Sequence, residues 1–232
     1  MNSIMPSITV DIWFDYICPW CWIAKKRFDK ALSEFEYSEH VSVHHHSYRI
    51  GIDSPEVPFK SALRDKLGGE NAAELMMSQI ESHAKLEGLT YKFDTMSFGD
   101  TLDAHILSAA ARNVDLGEQM TEKLFFSSTT EGRTIFDRNM LRTLAKEIGM
   151  TAEHVEAAFD DPIVFNTVYD DEERAQAIGV SGVPLFIING KFIISGAQPS
   201  NIFLTSLRKA WEEKEDIHIL KDGNFCGLNG CE

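Results

Sequence analysis

The stretch DYICPWCWIAKKRF, Asp15 to Phe28, constrains this chain more than any other, because two cysteines three positions apart fall where a strand pattern gives way to a helix. Residues 7–14 alternate before it, with Ile8, Val10, Ile12 and Phe14 on one face and Thr9, Asp11 and Trp13 on the other. That period of two is a strand. Pro19 then opens a helix through Trp22, Lys26 and Leu32. Proline suits the first helical position, where its missing N–H is no loss. A second strand is predicted over residues 41–48 (VSVHHHSY), which completes a strand–helix–strand unit.

From about residue 59 to 178 the pattern turns helical, with candidates at 61–67, 72–86, 101–114, 117–130, 138–148, 152–159 and 163–178. Leu102, Ile106, Ala109 and Ala110 show the three- and four-residue spacing of an amphipathic helix. So long a span is no loop and reads as an inserted subdomain. Strands return in LFIINGKFII, where Asn189-Gly190 separates two β-rich runs, the strongest short hairpin signal. A helix over 199–214 closes the pattern, followed by a tail. The expected fold is α/β: a thioredoxin-like domain built from 7–58 and 179–215, a large inserted all-helical subdomain over 59–178, and a tail over 216–232.

Of the 232 residues 44% are hydrophobic and 25% charged, as in ordinary globular proteins rather than disordered ones. A formal charge of −14 argues against a nucleic-acid or anionic-membrane partner, because phosphate contacts need a basic face. No basic leader and no apolar run of roughly 18 residues stands out, so neither a signal peptide nor a membrane span is expected. A cytoplasmic location follows as the default, and there closely spaced cysteines are more often catalytic or metal-binding than structural. All four cysteines fall in two pairs, Cys18 with Cys21 and Cys226 with Cys231.

The thiolate is the reactive form of cysteine. A sulfur at a helix N-terminus faces unpaired N–H groups and the positive end of the dipole, which favour the anion. In C-x-x-C pairs the pKa falls from about 8.5 into a range of roughly 3.5–7.5. Cys18, just ahead of Pro19, is therefore assigned as the nucleophile. Cys21, one turn on, points inward and resolves the mixed disulfide by attacking Cys18. Trp20 offers an apolar surface beside the sulfur, for substrate or as a cap on the helix start, while Trp22 and Phe28 read as core. Two plainer readings stand beside this one: inert buried cysteines, or a zinc site from Cys18, Cys21, Cys226 and Cys231. The zinc reading sits poorly with Pro19-Trp20 leading into a helix, where metal knuckles use glycine-bearing turns.

A second signal is SGVPLF, Ser181 to Phe186. Proline cannot donate to a ladder, so Pro184 belongs at a strand start, an edge or a bulge. An X-Pro bond in such a place is a candidate for the cis form. It would bring Val183 backbone groups beside the cysteines, as a strand-like partner for an extended substrate.

FDYICPWCWIAKKRF after a strand, AHILSAAA in the insert and GVSGVPLFIINGKFIISGAQP after it resemble the DsbA-like thioredoxin superfamily, in particular its FrnE-type dithiol oxidoreductases. The resemblance covers nearly the whole chain. It implies that Cys18 and Cys21 are the redox pair, that Pro184 is a cis-proline facing them, and that Cys226 and Cys231 in FCGLNGC are the second pair of that group. This second pair would either exchange electrons with the first or pin the tail as a structural disulfide. The implied activity is thiol–disulfide exchange on disulfide-containing proteins or small thiol compounds. No cofactor is called for beyond the redox-active disulfide, with a low-molecular-weight thiol as a possible reductant. The kappa-class glutathione transferases and hydroxychromene carboxylate isomerases share the fold and give the alternative of glutathione-dependent chemistry. They carry serine at the nucleophile position, so the presence of both Cys18 and Cys21 departs from their pattern.

Other polar groups read more plainly. His44 and His46 share a strand face but lack a third ligand nearby, so a polar face is the simpler account. His105, in the helical motif AHILSAAA, is open to two readings, a place near the cleft or a satisfied helix histidine, and Asp170 to Gln176 reads as a solvated acidic helix face. Asp15, ahead of the active turn, is a candidate for tuning the thiol electrostatically.

Overall fold

The computed structural model describes residues 8–221, 226–227 and 230–231, with side chains as far as residue 213. At its centre β1 (Ile8–Phe14) sits in a four-stranded sheet of order β2-β1-β5-β6. β2 (Val41–Ser47) pairs parallel to β1, with Ile8 opposite Val41, while β5 (Leu185–Ile188) pairs antiparallel, with Trp13 opposite Leu185. β5 turns back into β6 (Phe192–Ser195) through Asn189 and Gly190, at φ 51° and 66°. Two successive positive φ values are what a tight hairpin of this hand requires. The Asn189 side chain also accepts the Thr9 N–H at 2.8 Å, tying the turn to β1.

The alternation in β1 divides its side chains between two cores. Ile8, Val10, Ile12 and Phe14 face α1 (Pro19–Ser33) and α9 (Ser200–Lys221), where Phe28, Phe186 and Phe203 pack on one another. The two helices lie side by side and run the same way: Phe28 meets Phe203, and further on Tyr37 stacks on Trp211 at 4.1 Å. Trp13 points to the opposite face and is 1% exposed, because α8 (Pro162–Ala177) covers it.

That helix corrects the expectation of a solvated acidic face over 170–176. Asp171 is buried and accepts the Ser47 N–H at 2.9 Å and the Trp13 side chain donates to its carbonyl at 3.1 Å. Its carboxylate lies 2.6 Å from His46 Nδ1, and Asp11 lies 2.7 Å from Nε2 of the same ring. Glu172 takes the Arg49 guanidinium through two nitrogens, at 2.7 and 2.9 Å. The acidic run docks α8 onto β2, since buried carboxylates need such partners. His44, by contrast, is exposed and bonds Ser42 at 3.1 Å.

Between β2 and β5 lie α2 (Phe59–Leu67), α3 (Glu70–Leu86), α4 (Leu102–Arg112), α5 (Gly117–Phe126), α6 (Arg138–Glu147), α7 (Ala152–Asp160) and α8. A single helix expected over 117–130 is two pieces: α5 stops at Phe126 and continues as a π-helical turn over Ser127–Glu131. Ser128 and Thr129 return their hydroxyls to the Phe125 carbonyl at 3.1 and 2.7 Å, and such side-chain bonds compete with the helical ladder. A two-residue ladder, β3 (Val57–Pro58) with β4 (Ser97–Phe98), is too short to show a period in sequence. Gly51 follows β2 where a Cβ would sit 2.5 Å from the Gly99 carbonyl oxygen. Only glycine lets these two loops meet.

α9 extends to Lys221, beyond the expected end at 214. In the tail, β7 (Cys226–Gly227) pairs antiparallel with β8 (Gly230–Cys231), and Cys226 stands opposite Cys231. Among the described residues no helix is long and apolar enough to cross a membrane.

Candidate active site

Cys18 is the N-cap residue of α1, with extended backbone (φ −87°, ψ 107°) and Pro19 behind it at the first helical position. No side chain caps this end, and the Cys18 sulfur sits at the positive end of the α1 dipole. The turn is closed by backbone alone: Cys18 N–H donates to the Asp15 carbonyl at 3.1 Å, and Cys21 N–H to the Cys18 carbonyl at 3.0 Å. The Cys18 thiol lies 3.7 Å from the Val183 carbonyl oxygen, within reach of an S–H···O bond. The Val183–Pro184 bond is cis, the form for which the sequence marked it a candidate. Both thiols are free; Cys18 is 7% and Cys21 2% exposed. Burial, reinforced by the hydrogen bond to Cys18 and its charge, pushes the Cys21 thiol well up from its ordinary pKa.

Two residues hold this turn from outside α1. Tyr91, in the loop after α3, donates its hydroxyl to the Pro19 carbonyl at 2.7 Å. Burial and then the neighbouring cysteine sulfurs push that phenol well up. Asp15 is fully buried; its carboxylate accepts the Ile50 N–H at 2.7 Å and the Thr101 hydroxyl at 2.8 Å. Asp15 thereby joins the active turn, the end of β2 and the start of α4, a positioning role beyond the expected electrostatic one. His105, one of whose two expected places is near the cleft, leaves Nε2 without a hydrogen-bond partner, buried and 3.5 Å from the Asp15 carboxylate. Tyr91 and Thr101 carry no sequence signal, since neither belongs to a periodic run or a motif.

Trp20 is half-buried, with its ring edge-on to His83 at 5.3 Å. It lines a cavity of about 490 Å³ that begins at Cys18 and runs between the active turn and helices α2 and α3. Val183 and Pro184 are not among the residues of its wall.

A family model described as the DSBA-like thioredoxin domain matches residues 9–208. The chain belongs to that family. A probable DsbA oxidoreductase from Streptomyces coelicolor is similar over 97% of this chain and 98% of its own, at 31% identity and a TM-score of 0.83. The cytosolic disulfide reductase DsbM from Pseudomonas aeruginosa, solved with GSH, shares the fold at 19% identity and a TM-score of 0.62, over 88% of this chain and 99% of its own. A 2-hydroxychromene-2-carboxylate isomerase shares it too, at 12% identity and a TM-score of 0.66, over 90% and 98% of the two chains.

Two further arrangements bear on what this DSBA-like site can do. Among the described residues one group of clustered ligating atoms occurs, Asp29, Glu118 and Glu122, and the Lys25 ammonium sits among them at 2.8, 2.5 and 3.2 Å. That cation accounts for the cluster. The side chains of Cys226 and Cys231, and with them the four-cysteine zinc site, lie outside the described residues. α9 carries the chain along α1 and away from Cys18, so the tail pair departs from the far end of that helix.

Proposed function

We propose that this chain is a thiol–disulfide oxidoreductase in which Cys18 attacks and Cys21 resolves. The Cys18 thiolate displaces one sulfur of a substrate disulfide, which leaves as a thiolate, and a mixed disulfide forms. Cys21 gives up its proton and attacks Cys18 sulfur, releasing the second substrate thiol and closing the Cys18–Cys21 disulfide. Two electrons pass from the dithiol to the substrate, and a low-molecular-weight thiol restores the dithiol. Running backward, the same steps oxidise a substrate dithiol.

One observation carries the reading: a cysteine sulfur at the uncapped N-terminus of α1 and 3.7 Å from the Val183 carbonyl, with a second thiol one turn behind. Cys18 stands where the positive end of the α1 dipole meets an incoming sulfur. The raised thiol of Cys21 keeps the resolving sulfur protonated until a mixed disulfide draws it in. The Val183 carbonyl, which accepts from Cys18 in the dithiol, offers a backbone acceptor to a substrate lying across the pair. A cytoplasmic site of action suits this reading and the cytosolic DsbM relative. Glutathione-dependent isomerisation gains no specific support, because both cysteines of the pair are retained.

The test is dithiothreitol-driven reduction of bis(hydroxyethyl) disulfide and of insulin. Wild type is expected to accelerate at least one of them, and Cys18→Ser to abolish the rate. A Cys18→Ser protein with full activity sinks the mechanism.

A further inference from the structure

We infer that the cavity beside Cys18 is a binding site for small organic disulfides, with an apolar body filling it and an anionic group at its mouth. The inference rests on the oxidoreductase reading and names the substrate class of that same site.

The cavity volume, about 490 Å³, matches that of a pocket for one small molecule. Its floor is the reactive turn itself, Cys18 with Pro19 and Trp20. Phe59 and Leu63 of α2 and Ile80 of α3 close the sides. A disulfide whose sulfur reaches Cys18 therefore leaves its remaining atoms against hydrocarbon. Burying such a body is favourable at about 25 cal/mol per Å² of apolar surface. A small polar disulfide gains little there.

Position separates this site from one for extended peptide. The backbone strip that a peptide would follow lies at Val183–Pro184, and neither residue forms part of the wall. A small molecule fits wholly within the cavity while its sulfur meets Cys18.

At the mouth stands Lys66, the one charged residue of the lining. Lys25, Lys26 and Lys60 are held by carboxylates, whereas Lys66 makes no ion pair among the described residues. A carboxylate carried by the substrate would meet this ammonium. The chain is strongly acidic overall, so the attraction acts at contact rather than by long-range steering.

The reaction balances as for the parent reading. The Cys18 thiolate and the organic disulfide give a Cys18 mixed disulfide and one organic thiolate; Cys21 then expels the second thiol. Dithiothreitol supplies the electrons in the assay.

Three probes separate the terms: dithiobis(nitrobenzoate), aromatic and anionic; dithiodipyridine, aromatic and uncharged; and bis(hydroxyethyl) disulfide, small and uncharged. Ala62→Trp, which fills the cavity, is expected to lower kcat/KM for both aromatic probes at least tenfold more than for the small one. Leu67→Trp at the exposed rim provides a second block should Ala62→Trp fail to fold. Lys66→Glu is expected to cost the anionic probe about threefold to fivefold relative to dithiodipyridine. Non-covalent binding of thionitrobenzoate to Cys18→Ser, followed by Trp20 fluorescence, is expected to disappear when Ala62→Trp is added. This last readout needs no chemistry, so it stands even if the oxidoreductase reading fails. Blocking variants that slow all three probes equally, or none, overturn the cavity assignment. So does a wild type that prefers insulin and loses that preference in Ala62→Trp, which would give the cavity to a peptide side chain. A wild type that reduces no disulfide sinks the parent reading instead.

Discussion

The Tyr91 hydroxyl reaches the Pro19 carbonyl at 2.7 Å, and so the helical insert fastens the first turn of α1 at the position next to Cys18. The phenol is buried, and among the described residues this bond is its one polar contact. Tyr91→Phe removes the donor and leaves a buried carbonyl without it. A neutral hydrogen bond of this kind contributes about 1 kcal/mol. The variant is expected to lose about 2–4 °C in Tm for a chain of this size. Its Cys18 alkylation rate is expected to shift as well, read by mass spectrometry. Unchanged stability together with an unchanged rate refutes the positioning role.

Asp15 makes the stronger case for positioning. Its carboxylate accepts from Ile50 and Thr101 in a fully buried place. Asp15→Ala strands both donors, and each buried orphan costs about 1–3 kcal/mol. Asp15→Asn keeps one acceptor oxygen and is expected to recover about half of the loss in urea unfolding. If Asp15→Ala unfolds like wild type, the carboxylate is not holding the site together.

Much of this arrangement was legible in the residues, for physical reasons. Alternation over β1, the proline at the start of α1, and Asn189-Gly190 are local signals, and the strand, the helix start and the hairpin turn all stand at those residues. The C-x-x-C pair and Pro184 could be joined because each has a distinct chemistry. What escaped was pairing across long separations. Asp171 looks like part of a solvated run until α8 is laid against His46 and Ser47. Tyr91 sits in an aperiodic loop, and its role exists only once that loop meets Pro19. The π-helical turn after α5 depends on hydroxyls folding back on Phe125, which hydrophobic spacing does not report.

The central histidine of the HHH run, His45, differs from its neighbours. Burial, with the Lys25 and Arg112 cations nearby, pulls its pKa down to about 3. In the unfolded chain it titrates near 6.5. Between those values the unfolded state binds the extra proton, so native stability is complete above about pH 6.5 and declines as pH falls towards 3. The limiting slope is about 1.4 kcal/mol per pH unit for one proton. His45→Gln removes the titration and is expected to flatten the acid limb of urea-unfolding free energy between pH 6 and 4. An equally steep limb in the variant refutes the assignment.

Cys21 bears on the alkaline side. Its thiol is raised in the folded dithiol, so its contribution to stability is complete below about pH 8.5 and is lost as pH climbs through the folded value. The reduced wild type is expected to lose stability above pH 8.5 more steeply than reduced Cys21→Ser. Tyr16 and Tyr91, whose phenols are also raised, are common to both proteins and drop out of the comparison. Iodoacetamide at neutral pH is expected to label Cys18 well ahead of Cys21. Equal labelling of the two contradicts the raised thiol.

The course of α9 sets how near the tail cysteines can come to Cys18. α1 has 15 residues and spans about 22 Å at the helical rise of 1.5 Å per residue. α9 runs beside it in the same direction, reaches Tyr37 at Trp211, and continues as helix to Lys221, about 15 Å further. Cys226 follows five residues after Lys221, and five extended residues span at most about 18 Å. Even folded straight back, Cys226 stays on the order of 20 Å from Cys18 of its own chain, and Cys231 stands opposite Cys226 in the β7–β8 ladder, so both are far beyond the roughly 2 Å of a forming S–S bond. Exchange between the pairs within one molecule is therefore not expected. A redox titration of the reduced Cys18–Cys21 pair is expected to give the same midpoint in wild type and in Cys226→Ser/Cys231→Ser at low protein concentration. A midpoint that moves on removing the tail cysteines, independently of concentration, would mean that α9 does not carry the tail away from the active turn.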